Sequence, residues 1–400
     1  MKGGYLMTVR KIRAEERVAA SMIQTVAFNG SQDFTAALAD PSTHTEGYEQ
    51  VWASFEGDRM TAVIEVIPYT MLFDGHRVKM AGIAGVASLP EHRQGGAVRA
   101  IFAESMKAMR AEGQIFSYLY PFSHPFYRKF GYELGYVCNN VIFTTKDFKK
   151  HKLGGNLKHF QKGDDIAPFF HIHEEFAKNF NLAVIRDEAS FKKSIDKDSY
   201  ATKQYTYLWL NDAGEPKSYL RFEPGRHDNE TSMDVRRFEW LDREGLLGML
   251  SMLDKHFNNY PYVKWEIPPT LSPDSLINEP WDVESKLKAC GMNRVVDVER
   301  ALPLLKAPEG SGRVTIAVTD DFLDWNNGTY AVEWSGGVLK AVRVEAALDV
   351  TVSVQILSQL MTGFLTPAMA QEAGAITIEK NAEALGRLFP VKPVYILERF

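Results

Sequence analysis

One stretch, Val78 to Tyr132, constrains the fold of this 400-residue chain more than any other. Two apolar, β-rich runs, Met60–Phe73 and Arg77–Leu89, flank Asp74-Gly75, a dipeptide that favours the tight turn of a hairpin. Pro90 stops the second run. After Glu91-His92-Arg93-Gln94-Gly95-Gly96, the residues Val98, Ile101, Phe102, Met106 and Met109 recur at helical spacing, and Gly113 supplies a stop. The next run, Gln114–Phe122, is aromatic and β-prone. Ser123, His124 and Pro125 then predict a cap and a proline at the head of a helix of about two turns, closed by Gly131.

A glycine turn opening a helix leaves backbone N–H groups pointing outward at the positive end of the helix dipole. Glycine also lets an anion approach the main chain closely. The span therefore predicts a pyrophosphate cradle flanked by Arg93 and Arg99. An ordinary strand–helix connection is the alternative on the glycines alone.

The segment Val86-Ala87-Ser88-Leu89-Pro90-Glu91-His92-Arg93-Gln94-Gly95-Gly96-Ala97-Val98-Arg99 resembles the acetyl-CoA segment of GCN5-related N-acetyltransferases. Phe126-Tyr127-Arg128-Lys129-Phe130-Gly131-Tyr132 resembles the second half of that signature. In its length, its further acyltransferase-like region and its end at Phe400, the chain resembles the enhanced intracellular survival (Eis) type. The resemblance implies an α/β (α+β) fold: two tandem GCN5-related acyltransferase domains, the second degenerate, then a sterol-carrier-like domain. The expected spans are 1–150, 151–295 and 296–400.

The same resemblance implies acetyl-CoA as co-substrate, no metal, and a homo-oligomer, a hexamer. The acceptor would be a primary amine: an aminoglycoside, a lysine or a polyamine-like molecule. Main-chain groups of Val86, Ala87 and Ser88 would pair with the pantetheine arm as an added strand does. An N–H near Val86 would face the developing oxyanion. Arg93, Gln94, Gly95, Gly96, Ala97, Val98 and Arg99 would hold the pyrophosphate, with Phe122 and Ser123 completing the cofactor site. Tyr127 would be the general acid, its proton transfer eased by the helix N-terminus. The carboxylate of Phe400 would be the base, the segment from Val394 running strand-like to that end. Arg399 next to it would work against a polycationic acceptor if it faced the cleft. Transfer of a longer acyl chain, or a lipid- or sterol-binding protein with relic acyltransferase domains, are the alternatives.

A net charge of −5 gives no general attraction to nucleic acid or anionic membranes. No run of about twenty apolar residues is present to span a bilayer, and Met1–Met7 lacks the apolar core of a signal peptide. Cys138 and Cys290, far apart and without metal-ligand spacing, predict reduced thiols and a cytoplasmic setting rather than a disulfide framework.

Elsewhere, Val9–Arg13 reads as a first strand, and Ala14–Phe28 as an amphipathic helix through Val18, Met22, Ile23 and Val26. Lys146–Gly155 is basic and reads as a solvated linker. In His171-Ile172-His173 the two imidazoles do not share a helix face, which predicts core or solvent-facing histidines rather than metal ligands. Asp234–Trp240, Glu244–Phe257 and Tyr262–Ile267 repeat the strand–helix–strand order of the first domain. Their connection, Leu241-Asp242-Arg243-Glu244, has no glycine for a phosphate to approach, so this domain is expected to wall the acceptor cleft without binding cofactor. Further on, Arg313–Thr319, Thr329–Trp334 and Leu339–Val344 read as strands, and Val354–Leu365 as a helix that either lines a lipid groove or packs as plain core.

Overall fold

The computed structural model describes residues 7–396 and 398–400; Met1–Leu6 and Leu397, on which parts of the terminal readings fall, lie outside the described residues. The chain divides into two compact units. One is the stretch to Gly135 with Gly291–Val391 and Arg399–Phe400; the other is Tyr136–Cys290 with Lys392–Glu398.

The first unit opens with β1 (Met7–Lys11), α1 (Arg17–Ala27), β2 (Val51–Glu56), β3 (Arg59–Phe73), β4 (His76–Ser88), α2 (Ala97–Ala111), β5 (Gln114–Leu119) and α3 (His124–Arg128). The strands lie side by side in chain order, antiparallel except for the parallel pair β4/β5. Residues Met292–Val295 add an antiparallel neighbour beyond β5. Asp74 and Gly75 both take positive φ, 48° and 84°, which is why an Asp-Gly pair closes the β3/β4 hairpin. Strand alternation sends Ala53, Phe55 and Val63 toward α1, and Ala62 and Ile64 toward α2, where Ile101, Phe102 and Met106 are fully buried.

In α1 the expected apolar stripe is corrected. Met22 and Val26 are exposed, while Val18, Ala20, Ser21 and Ile23 are buried. Ala20 and Ile23 pack against the strand residues Ala53, Phe55 and Val63, and Ser21 is buried with its hydroxyl 2.9 Å from His44 Nε2, which leaves Met22 and Val26 on the solvent side.

The rest of this unit is a five-stranded sheet, ordered Val338–Arg343, Gly328–Ser335, Ser311–Thr319, Val350–Ser353, Thr377–Ile378. The helix Val354–Thr362 packs as core on more than its apolar side. Leu357, Leu360 and Met361 are buried, and so are Ser358 and Thr362. The Gln359 side chain donates to the Leu134 carbonyl at 2.7 Å, and Val295 N–H donates to Ser358 Oγ at 2.9 Å. Arg294 has no exposed side-chain surface; it pairs with Asp320 and donates to the carbonyl of Phe130, just past α3.

In the second unit, part of Glu133–Thr144 is followed across the sheet by Tyr262–Ile267, Glu230–Trp240, Pro216–His227, Tyr205–Leu210 and Asn156–His159. Helix Arg243–His256 joins the parallel pair Glu230–Trp240 and Tyr262–Ile267, reproducing the strand–helix–strand order of the first unit. Two expectations are overturned here. Cys138 and Cys290 form a disulfide, because neighbouring strands bring Cα atoms 152 residues apart in sequence to 6.0 Å; separation along the chain did not mean separation in space. Nor is Lys146–Gly155 a loose linker: Phe148 is buried, and Lys149 N–H donates to the Leu276 carbonyl at 2.9 Å. His171 is exposed, and buried His173 sets Nδ1 2.9 Å from the Glu239 carboxylate.

Candidate active site

The β4/β5 ladder ends early. Its last pair is Ile83 with Leu119, while β4 continues to Ser88 paired with β3 alone. From Ala84 onward, one edge of β4 is therefore open, as an extended ligand requires. That edge is also bulged: between the pairs Glu65/Ala84 and Val63/Ala87, both Gly85 and Val86 oppose the single residue Ile64. Gly85 takes φ +56°, which turns the extra main-chain groups out of the ladder. A Cβ there would lie 2.1 Å from Gln24 Nε2, the far end of a flexible side chain, so it is the positive φ that calls for glycine. Val86, Ala87 and Ser88 thus occupy the bulged, half-free end of the strand.

The glycine turn follows a short 3₁₀ segment, Pro90–His92. Gln94 and Gly96 take positive φ, 66° and 81°, and Gly96 is the N-cap of α2 without a side-chain cap. The first N–H groups of this fifteen-residue helix are therefore left to an external acceptor. A Cβ at Gly96 would meet nothing within 4 Å, and Arg93, Gln94 and Gly95 are exposed around it. Ala97 is buried and Val98 half-buried where α2 meets the sheet. Exposed Arg99 rests its guanidinium 4.9 Å from the Phe322 ring rather than standing free over the turn.

Tyr127 is buried, its ring among Phe102, Phe122, Phe126 and Tyr132. Phe122 is 69% exposed and covers it from the solvent side. Ser123 holds the N-cap position of α3 with extended backbone, but its side chain makes no cap bond. The expected easing of proton transfer by the helix end is corrected. α3 has five residues, too short for a substantial dipole, and burial raises the Tyr127 pKa well above the usual tyrosine value. Tyr127 therefore stays protonated and is a weak acid.

At the other end of the chain, Phe400 lies in the first unit. Its ring sits 5.2 Å from Tyr69, 6.0 Å from Tyr118 and 5.5 Å from Tyr120, close over Gly82 of β4. Arg399 stacks 4.7 Å from the Tyr120 ring. Val394, Tyr395 and Ile396 are buried in the second unit, as an extended segment with one bridge, Asn181 to Val394, rather than the expected strand. The Tyr395 hydroxyl donates to the Glu266 carbonyl at 2.6 Å. Buried Glu398 accepts from both Arg186 and Arg237. Burial opposes the charge of Glu398, yet the two arginines outweigh it and hold its pKa at about 2.

Sequence reasoning missed a carboxylate. Glu65, on the α1 face of β3, accepts from Arg17 at 2.9 Å and from Gln24 at 3.0 Å, and Gln24 also donates to the Gly85 carbonyl. An Arg-Gln pair seven residues apart on one helix stripe was the available signal, but its partner on β3 is visible only in the fold. The second unit's repeat differs at the matching place. Its helix begins with Asp242, whose carboxylate accepts from Gly245 N–H at 2.9 Å. There the helix end already carries a negative cap, which opposes a second anion.

A parallel strand pair that splays at a bulge, followed by a glycine turn heading a helix, defines the acyltransferase domains of the GCN5-related (GNAT) class. Residues 8–135 match a family model described as an acetyltransferase (GNAT) domain, 182–295 match a second of the same description, and 298–397 match a sterol carrier protein domain. The chain is thus built of two GNAT domains followed by a sterol carrier domain. Among solved structures it is similar to a probable N-acyltransferase from Enterococcus faecalis V583, at 20% identity and a TM-score of 0.86, covering 99% of this chain and 100% of that one. A GCN5-related N-acetyltransferase from Anabaena variabilis ATCC 29413 matches with the same identity, coverage and TM-score. Eis1 from Mycobacterium abscessus matches at 17% identity and a TM-score of 0.79, covering 99% of this chain and 100% of that one. The two family models support a GNAT acetyltransferase, and with it acyl transfer, while the likenesses to solved structures show the shared fold without singling out the Eis subfamily. No curated protein sequence matches significantly. Among the described residues, no helix is long and apolar enough to cross a membrane.

Proposed function

We propose that the protein is an acetyl-CoA-dependent N-acetyltransferase of the Eis type, acting on a primary amine with Tyr127 as general acid and the Phe400 carboxylate as base. Acetyl-CoA supplies a thioester, from which the amine takes the acetyl group as a C–N bond forms and the C–S bond breaks. The open edge Val86–Ser88 holds the pantetheine arm, and the Gln94–Val98 turn holds the pyrophosphate. A bulge N–H at Val86 faces the carbonyl oxygen. Tyr127, kept neutral by its burial, gives its hydroxyl proton to the departing thiolate. The carboxylate of Phe400 takes the proton lost by the amine, through water, since an α-carboxylate with a pKa of about 3.3–3.7 is too weak a base for direct transfer from an ammonium group. A hexameric assembly and a cationic acceptor belong to the same proposal.

The observation that carries this reading is the seat of Phe400: the last residue of the chain is anchored among three tyrosines beside the strand that bears the bulge. A Gly-Ser extension after Phe400 turns the carboxylate into an amide without touching a side chain. The extended protein should bind acetyl-CoA normally and acetylate amines poorly, read as free-thiol release. Tyr127→Phe should likewise keep cofactor affinity while kcat falls about 10²–10⁴-fold. Full turnover in the extended protein, with the extension verified by mass spectrometry, would remove the carboxylate from the mechanism.

A further inference from the structure

Arg17 and Gln24 stand two turns apart on α1, so both fall on one stripe of the helix. Both are half-buried, and both meet Glu65 of β3. Arg17 Nη2 donates to Glu65 Oε1 at 2.9 Å, and Arg17 Nη1 donates to the Gln24 side-chain oxygen at 3.2 Å. Arg17 Nε is held in turn by the Glu46 carbonyl at 3.2 Å. Gln24 Nε2 donates to Glu65 Oε1 at 3.0 Å and also to the main-chain carbonyl of Gly85 at 3.3 Å. This ring of bonds fixes which way the Gln24 amide points. An arginine only donates, while a carboxylate and a carbonyl only accept, so the amide oxygen faces Arg17 and the nitrogen faces the other two. A lysine, glutamate or leucine in its place lacks one or both halves of that set.

The carbonyl that Gln24 grips lies in the bulge. Ala84 and Ala87 each have a single partner on β3, whereas Gly85 and Val86 together oppose Ile64, and a bulge residue loses its regular hold on the ladder. The Gly85 carbonyl and the Val86 N–H belong to one peptide unit. A trans peptide is planar, its C=O and N–H pointing opposite ways, so a donor that holds the carbonyl also fixes the direction of the N–H. It polarises that N–H as well: a bond accepted at one end strengthens the bond donated at the other by about 10–30%.

We propose that Gln24 is a positioning residue for acyl transfer: it holds the Gly85 carbonyl so that the Val86 N–H is aimed at the thioester oxygen before charge develops there. Arg17 and Glu65 keep the Gln24 amide in place. The assignment rests on the reading of Val86–Ser88 and the glycine turn as the acetyl-CoA site. A donor set in advance needs no reorganisation during the reaction, and losing one outright costs about 10²–10³ in kcat. Loosening one costs less. If the three side chains served only to fasten α1 to the sheet, their loss would lower Tm and leave the thioester carbonyl undisturbed.

The test uses two substitutions in the full chain, each keeping a good helix former in α1. Gln24→Met removes both halves of the amide at nearly the same length, and Gln24→Glu sets a carboxylate against the Gly85 carbonyl. Acetyl-CoA labelled with a heavy carbon isotope at the thioester carbonyl is bound without acceptor and observed by isotope-edited infrared spectroscopy. A hydrogen bond to that carbonyl lowers its stretching frequency, so the band should rise in both variants relative to the unaltered protein. With an amine acceptor, kcat read as free-thiol release should fall about tenfold or more, short of the loss of a whole donor. Acetyl-CoA affinity by calorimetry should stay within about threefold, the signature of an interaction made in the transition state. An unmoved carbonyl band, or a kcat within about threefold of the unaltered protein, in a variant that melts cooperatively would overturn the role of Gln24 and leave the cofactor site standing. No binding of acetyl-CoA by the unaltered protein would sink the cofactor reading itself, and the role of Gln24 with it.

Discussion

Gly82→Ala offers a sharp test of whether the end of the chain works in catalysis. Gly82 lies in β4, where a methyl group would come 2.8 Å from the Tyr69 ring and 2.9 and 3.0 Å from two atoms of the Phe400 ring. Carbon atoms in contact settle at about 3.5–4.0 Å, so both rings stand roughly 0.7 Å too close. Tyr69 is held within β3 opposite Met80, whereas Phe400 ends the chain, so Phe400 is the group that moves. A displacement near 1 Å of a reacting group costs about 10²-fold in rate, which is the expected loss in kcat. Stability should fall modestly, by about 1–3 kcal/mol, because the methyl also overpacks the Tyr69 ring, which is held in β3, and this outweighs the roughly 0.5–1 kcal/mol by which alanine is favoured over glycine in a strand. Acetyl-CoA affinity should hold, because the substitution precedes the open edge. Steady-state kinetics, calorimetric titration and thermal melting separate these three quantities. A kcat within about threefold of the unaltered protein would refute the reasoning, since a ring displaced from that seat could not leave a catalytic carboxylate in place.

Gly96→Val should abolish acetyl-CoA binding by calorimetry: its side chain has room in the protein, but φ of +81° strains a β-branched residue and the branch occupies the path to the helix N–H groups. Asp320→Ala should destabilise the protein by about 3–5 kcal/mol in denaturant titration, because it leaves the Arg294 charge buried and unpaired and strips the N–H groups of Phe322 and Leu323 of their acceptor. Glu398 has a folded pKa depressed to about 2, so its contribution is complete above its unfolded value and fades as pH falls through about 2. Glu398→Gln should therefore lower Tm at neutral pH, with the difference from the unaltered protein closing only in strong acid.

Much of the first domain was legible because its determinants are local. The Asp74-Gly75 hairpin, the stop at Pro90, the spacing of Ile101, Phe102, Met106 and Met109, and the glycines before α2 each act within a few residues. The strand–helix–strand repeat around Arg243–His256 was legible for the same reason. The stripe of α1 was misread because apolar residues alone did not reveal that small Ala20 packs against the sheet and that Ser21 is buried beside His44. Tyr127 was placed correctly on a short helix, but its acidity depends on four rings, of which Phe102, Phe122 and Tyr132 lie outside that helix, and burial among them raises its pKa rather than easing its ionisation.

What the sequence determined by itself is therefore the set of elements and the chemistry of the turn: backbone φ preferences, period and proline stops are properties of neighbouring residues. Tertiary structure alone decided where the β4/β5 ladder ends, which carboxylate joins Arg17 and Gln24, that Cys138 meets Cys290, and where Phe400 comes to rest. Those outcomes rest on pairings between residues far apart in the chain, 152 residues for the disulfide and 212 for Arg186 with Glu398. Register, burial and charge pairing are set by which surfaces meet, and no window of sequence contains both partners.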